Sequence, residues 1–474
     1  MNQPSVRLSV IGAATVLLGG LAAPAAATDP DSNGDTDRGD GTASVPAPEV
    51  IGPLAGSPPG DPKSDDIEDT YPFFASTEDL DAHGYVEEEF LVRGSARQFE
   101  DQAVTTEHPY TTRIVVRRPA EARSANGTAL VEWQNVTAGH DLDALWAPSA
   151  QHIMRSGYTW VGVSAQHVGV SHLTGWSPAR YGDLDVTDGG TVPDDQLSYD
   201  IFAQAGQAIA SDGADLLGDV EIDQLLAIGA SQSAGRMVDY YEDVLPATEP
   251  VFDGYGYMVG AAPSEPTGPE PVFQVVTEND VLIGLDGDSP ADSEHFRNWQ
   301  VAGSGHSPWA GQDARSEVTE RDLGSEEQYN CVSPPFSRIP LHQVINASLD
   351  HLDTWSGGGA APPMAEPIER TEDGAIARDA DGMALGGIRT SALTVPTAVN
   401  TGVNAPADDD SAFCVLFGSY EPFDAAELDE RYRNHGHYMS EVAQAERELL
   451  RDGFVVPADS AENRREAARS DIGR

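Results

Sequence analysis

Three residue types stand in an order that could carry nucleophilic catalysis: a Ser, then a carboxylate, then a His. Gly229-Ala230-Ser231-Gln232-Ser233 has a G-x-S-x-S pattern. Small residues two before and two after a Ser suit a sharp, strained turn that lifts a hydroxyl out of the backbone, where bulkier neighbours would clash. Two registers are open. Ser231 has Gly229 upstream and Ser233 downstream; Ser233 has Ser231 upstream and Gly235 downstream. The apolar strand pattern Gln224 to Ile228 runs directly into Gly229, which favours Ser231. A hydroxyl is a weak nucleophile at neutral pH, so a His must take its proton and a carboxylate must hold that His in the right tautomer. Asp280 is the candidate acid, on the loop after the strand Val272 to Val276, with Glu278 as the runner-up. His306 is the candidate base, on a loop whose residues 302–305 are all small. His435 and His437 compete by lying nearer the C-terminus, and read instead as surface or helix-entry residues. A Ser/Gly-rich turn or a solvated loop carboxylate is common when found alone in so acidic a chain; the ordered set of three is what carries the reading.

A tetrahedral oxyanion needs two fixed N–H donors. The backbone of Gln232, one residue past the nucleophile, is one candidate. The other comes from the loop Gln134 to Gly139, with Val136 preferred and Thr137 next. Asn135-Val136-Thr137 also matches a glycosylation sequon.

The elements that would position these residues alternate between short apolar strands and helical patterns, which predicts an α/β fold with a mostly parallel sheet and helices on both faces. Strands are expected at 128–133, 159–163, 224–228, 254–259, 272–276 and 298–301. Helices are expected near 148–156, 199–217 and 237–245. Residues 167–195 are rich in Gly, Asp and Pro and read as a long loop over the cleft.

Taken together these motifs resemble a family of bacterial α/β-hydrolase-domain proteins, common in actinobacteria and often exported. The resemblance runs from about Gly84 to the C-terminus. Its landmarks are Tyr110-Thr111-Thr112-Arg113, Val131-Glu132-Trp133 with Asn135-Val136-Thr137, and Trp160 to Gln166. Ser198 to Phe202, Gly229 to Gly235, Trp299 to His306, Gly386 to Arg389, Cys414 to Ser419 and Gly453 to Pro457 continue the series. The family usually shows Gly directly after S-Q-S, whereas here Ala234 intervenes before Gly235. The resemblance implies an α/β-hydrolase fold, in which nucleophile, acid and His follow in the order Ser231, Asp280, His306. It also implies a carboxylic-ester substrate and accounts for a long extension after the His, residues 307–474, packed on the core with helices near 341–355 and 438–452.

Composition bounds the rest. Arg7 followed by the apolar run Leu8 to Ala23 and then Ala25-Ala26-Ala27 is a signal-peptide pattern with cleavage near Ala27, so the mature protein is expected to be secreted without stable membrane insertion. Residues 28–66 carry almost no aromatics and read as a disordered acidic linker, leaving 67–474 as the hydrolase domain. The net charge is −51, and Lys63 is the single Lys among 27 basic residues. Electrostatics alone exclude nucleic acid as a partner, and an acidic, Lys-poor surface suits a halophilic or salt-tolerant source. The two cysteines, Cys331 and Cys414, are expected to form a disulfide in an exported chain. They lie far apart with no His pair beside them, so no metal site is expected, and no nucleotide fingerprint calls for a cofactor. The expected activity is hydrolysis of a small or polymeric ester through an acyl-enzyme. The alternatives are an amidase, lactonase or acyltransferase with the same triad, or a non-catalytic binding protein.

Overall fold

The computed structural model describes residues 42–474 apart from 267, 288 and 325–327. The expected signal peptide and residues 28–41 of the expected linker lie outside the described residues. Residues 42–66 are not a disordered linker. Val45 is buried, Glu49–Ile51 forms strand β1, and Leu54 N donates to Glu89 O at 2.8 Å. The segment builds no core of its own. It is ordered by hydrogen bonding to the edge of a sheet that already exists, so a composition poor in apolar residues does not keep it unfolded.

That sheet has nine strands: β1, β2 (Tyr85–Glu100), β3 (Ala103–Pro119), β4 (Thr128–Trp133), β5 (Thr159–Val163), β6 (Gln224–Ala230), β7 (Gly254–Met258), β8 (Val272–Thr277) and β9 (Phe296–Val301). Their spatial order is β1-β2-β3-β5-β4-β6-β7-β8-β9. The run from β5 to β9 is parallel throughout, while β1, β2 and β3 add antiparallel strands at one edge. The parallel strands β4, β5, β7 and β8 are buried along their whole length, as strands covered on both faces must be. The chain order reverses at β5-β4-β6. A crevice opens at such a point beyond the carboxyl ends of the strands, and ligands bind there. Ser231 follows β6 at that end.

Two apolar clusters cover the two faces. On one, helix α3 (Ser198–Leu217) places Ile201, Phe202 and Ala205 against Val131, Trp133 and Leu225. On the other, α1 (Trp146–Ser156) and α7 (Leu341–Ser356) place Trp146, Ile153, Val344 and Leu352 against Leu130, Ile228 and Phe273. The extension after His306 is therefore part of the core: Ile368, Ile388, Leu393 and Val455 join this second cluster. Ile388 also pairs in parallel with Val301, with Ile388 N donating to Gln300 O at 2.7 Å, so the extension continues the sheet past β9. Cys331 and Cys414 are disulfide-bonded.

Two sequence readings of local structure change. Residues 167–195 do not form one long loop, because α2 spans His167–Trp176. Val170, Leu173 and Trp176 recur at threefold spacing and are buried, a helical stripe that the surrounding Gly and Ser residues hide. The helix expected from Met237 begins earlier, as α4 (Gln232–Asp239), immediately after Ser231. The hairpin β2-β3, for which no strand was expected, supplies the antiparallel edge.

Candidate active site

The turn after β6 is made by one residue. Ser231 has φ 57° and ψ −117°, a left-handed conformation that costs a non-Gly residue about 1–3 kcal/mol and must be held by its surroundings. Those surroundings are specific. Ser231 N donates to Met258 O at 3.0 Å and Gly235 N donates to Ser231 O at 3.1 Å. A Cβ on Gly229 would come within 2.7 Å of Met237 Sδ and 3.1 Å of Ala234 N, so a side chain two residues before Ser231 would push α4 off the strand.

The two serines part company here. Ser231 Oγ lies 2.8 Å from His306 Nε2, and His306 Nδ1 lies 2.5 Å from Asp280 Oδ1. Ser233 is fully buried, with its Oγ donating to Ala230 O at 2.9 Å and accepting from Ala230 N at 3.0 Å. Its hydroxyl closes the turn and points away from any imidazole. Ala234, which interrupts the family's usual Ser-Gln-Ser-Gly, is wholly buried against the strands.

Asp280 sits in α5 (Glu278–Leu282), a single turn capped by Thr277. Its Oδ2 accepts from Thr277 N and Thr277 Oγ1, each at 2.8 Å, which leaves Oδ1 for His306. Glu278, the runner-up acid, does not meet the imidazole. Its Oε2 accepts from Gly303 N at 2.9 Å and its Oε1 pairs with Arg378 at 2.6 Å, so it braces the loop that carries His306. Asn279 braces the same region from the other side. Its Nδ2 donates to Gly402 O at 2.9 Å and Val415 O at 2.8 Å. The segment beyond Cys414 in turn holds the His loop: Ser307 N donates to Leu416 O at 2.9 Å, and a Cβ on Gly305 would collide with the Phe417 carbonyl. His435 and His437 are far from this arrangement in role. They occupy the first turn of α8 (His435–Asp452), with partners Ile472 and Glu441.

On the oxyanion side, Gln232 opens α4, where unpaired N–H groups favour negative charge. Val136 N faces the same place and donates to Gln232 Oε1 at 3.3 Å, a long bond that an incoming oxyanion can replace. Thr137 does not serve, because its N–H is committed to Asn135 Oδ1 at 2.8 Å. Asn135 is buried and its Nδ2 donates to Ala230 O at 2.9 Å. It ties the oxyanion loop to the elbow and is closed to glycosylation. Gln166, which immediately precedes α2, was missed as a site residue although it ends one of the sequence landmarks. It forms a reciprocal amide pair with Gln232, with Gln232 Nε2 donating to Gln166 Oε1 at 2.6 Å.

Behind the loop lies a buried ionic network. Arg113 pairs with Glu89 at 2.8 Å and donates to Ser164 Oγ at 3.0 Å, and Ser164 donates onward to Asp141. Glu132, at the end of β4, is pushed up to about 8 by burial, although the N–H groups of Leu145 and Trp146 work against that rise. It caps the start of α1 and is a structural carboxyl.

A crevice at the switch point, with a strained Ser on a strand-to-helix turn and an imidazole and a carboxylate converging on it, defines an α/β-hydrolase scaffold. The chain belongs to the family described as alpha/beta hydrolase domain, whose model matches residues 52–465. That match takes in residues 52–66 of the segment that the sequence suggested was a linker. No curated protein matches the chain. Among solved structures, it is similar to a methylesterase, BT1017, at 11% identity over 52% of this chain and 56% of that one, with a TM-score of 0.29. It is also similar to a dienelactone hydrolase from Anabaena variabilis at 11% identity over 50% and 99%, with a TM-score of 0.29. A carboxylesterase from Lactobacillus plantarum aligns at 10% identity over 44% and 82%, with a TM-score of 0.27. At these values the likeness says nothing about substrate.

Proposed function

We propose that the protein hydrolyses carboxylic esters through an acyl-enzyme on Ser231. The observation that carries this reading is the unbroken chain Ser231 Oγ–His306 Nε2, 2.8 Å, and His306 Nδ1–Asp280 Oδ1, 2.5 Å, built on a strained elbow. In this mechanism Ser231 attacks the ester carbonyl as its proton passes to His306 Nε2. The carbonyl oxygen becomes an oxyanion held by Gln232 N–H and Val136 N–H, and Asp280 stabilises the imidazolium. Collapse of the intermediate breaks the bond to the alkoxy oxygen, which leaves as an alcohol carrying the proton from His306. Water, giving its proton to His306 Nε2, then attacks the acyl carbonyl; the acyl–Oγ bond breaks, His306 returns the proton to Ser231 Oγ, and the carboxylic acid leaves.

The Cys331–Cys414 disulfide supports export, since such bonds persist in oxidising compartments. Cleavage near Ala27 and function in concentrated salt complete the proposal. The test is an active-site-directed fluorophosphonate probe, together with p-nitrophenyl esters of rising acyl length at low and high salt. Labelling and turnover that vanish in Ser231→Ala support the reading. A wild-type protein that takes no label sinks it.

A further inference from the structure

In a chain with net charge −51, most of the partly buried Arg residues have a carboxylate partner. Arg315 does not. Among the described residues no carboxylate lies within ion-pair distance of it and no hydrogen bond holds it, yet the side chain is partly buried.

Its position follows from helix α6 (Trp309–Leu323), which begins three residues after His306 and bridges the crevice. The first turn is fixed on the His side: Trp309 N donates to Ser337 O at 3.0 Å and Gln312 Nε2 donates to Ser307 Oγ at 2.7 Å. The last turn is fixed on the opposite side. There Asp322 accepts from Tyr71 OH at 2.9 Å and Phe74 N at 2.8 Å, and its carbonyl accepts from Trp176 at 3.1 Å. Val318, three residues beyond Arg315 and so on the same helix face, is buried in the cluster with Tyr71 and Trp176. Arg315 therefore faces inward from the middle of the bridge. Its Nη1 reaches back over Gly311, 3.4 Å from where a Cβ would stand, towards the turn that follows His306. Its charge acts on His140, Asp143 and Glu132 at the oxyanion loop, and on Tyr329. Tyr329 packs on Phe417 at 4.7 Å, and Phe417 abuts Gly305, next to His306.

The geometry points to Arg315 as an anion-recognition residue in the Ser231 crevice, and to an ester that also bears a carboxylate as the preferred substrate. This rests on the hydrolase reading above. Among the described residues, neither carboxylate that its charge acts on forms an ion pair with the guanidinium. Asp143 is held by Arg117 at 2.8 Å, and Glu132 is occupied by Leu145 N at 2.9 Å, Trp146 N at 3.1 Å and Trp160 Nε1 at 2.7 Å. A strongly negative protein repels anions at long range, but that field is screened over about 10 Å in 0.1 M salt, so a local cation decides binding. A guanidinium offers a carboxylate two parallel N–H bonds, which an ammonium cannot.

The experiment is calorimetric titration of monomethyl succinate and dimethyl succinate into the full chain carrying Ser231→Ala, which binds without turning over. Monomethyl succinate should bind more tightly than the diester. Ser231→Ala/Arg315→Gln should weaken monomethyl succinate at least 10-fold, and Ser231→Ala/Arg315→Lys by a smaller factor, with both thermal midpoints recorded. If the Gln variant does not fold, the Lys variant decides: a smaller loss confined to the charged ligand supports the site. An affinity unchanged within twofold, an equal loss for both ligands, or no saturable binding of monomethyl succinate overturns it. Turnover of p-nitrophenyl acetate by the wild type is scored separately. Its absence would remove the hydrolase reading and leave the binding result standing.

Discussion

Asp280→Asn tests the catalytic geometry at one atom pair. Oδ2 of Asp280 accepts two donors, Thr277 N and Thr277 Oγ1, each at 2.8 Å, while Oδ1 faces His306 Nδ1 at 2.5 Å. In the Asn variant the amide oxygen must stay on the Thr277 N–H, because an NH2 there would oppose a fixed donor. The NH2 then faces His306 Nδ1, and two donors meet unless the imidazole moves its proton to Nε2. That tautomer has no lone pair towards Ser231 Oγ. The base is lost although its shape is kept, and the expected fall in kcat is about 10^4, close to 5.5 kcal/mol of barrier. Stability should change little, since the variant keeps the Thr277 cap. The assay is p-nitrophenyl acetate turnover at neutral pH, with the thermal midpoint measured in parallel. A loss under about tenfold with the fold intact would refute the claim that Asp280 sets the His306 tautomer. A similar loss on Glu278→Gln would refute the assignment of Asp280 over its neighbour.

Ser233→Ala should keep fluorophosphonate labelling but lower stability by about 1–2 kcal/mol in a urea melt, because it removes a buried hydroxyl that both donates and accepts. Loss of label in that variant would reverse the choice of nucleophile. Asn279→Ala removes two bonds to the segment around Cys414, so kcat should fall about tenfold with KM unchanged and the kcat/KM pH profile displaced; a shift in the melting curve alone would make Asn279 merely structural. Cys331→Ser/Cys414→Ser opens a covalent link across 83 residues and should cost about 2–4 kcal/mol, read by chemical denaturation with and without reductant. His172 is pushed down to about 4 by burial, against an ordinary value of 6.5. The unfolded chain therefore binds more protons between those values, so its contribution is present above about pH 6.5 and is lost as pH falls through about 4. His172→Phe should flatten the thermal midpoint across that window; an equal slope in both proteins would contradict the assignment.

The candidate site was legible in the sequence because each of its residues belongs to a local pattern. Buried strand residues run into small turn residues at Gly229, at Thr277 and before His306, and spacing along the chain identifies such junctions. The parallel strands were equally legible, since strands buried on both faces are continuous apolar runs. Elements defined by distant partners were not. Residues 42–66 are ordered by the edge of β2, and β2 and β3 alternate too irregularly to announce themselves. The helix at 167–176 shows its stripe only once the cleft wall it packs against is in place. The strand running into Gly229 favoured Ser231 over Ser233, but spacing alone left both registers open, because both flank the same turn. What separates the two in the structure is a left-handed backbone at Ser231 and an imidazole brought to it from 75 residues away. The lack of an ion-pair partner for Arg315 among the described residues is likewise a property of tertiary placement: sequence supplies the charge, and the fold sets which groups come near it.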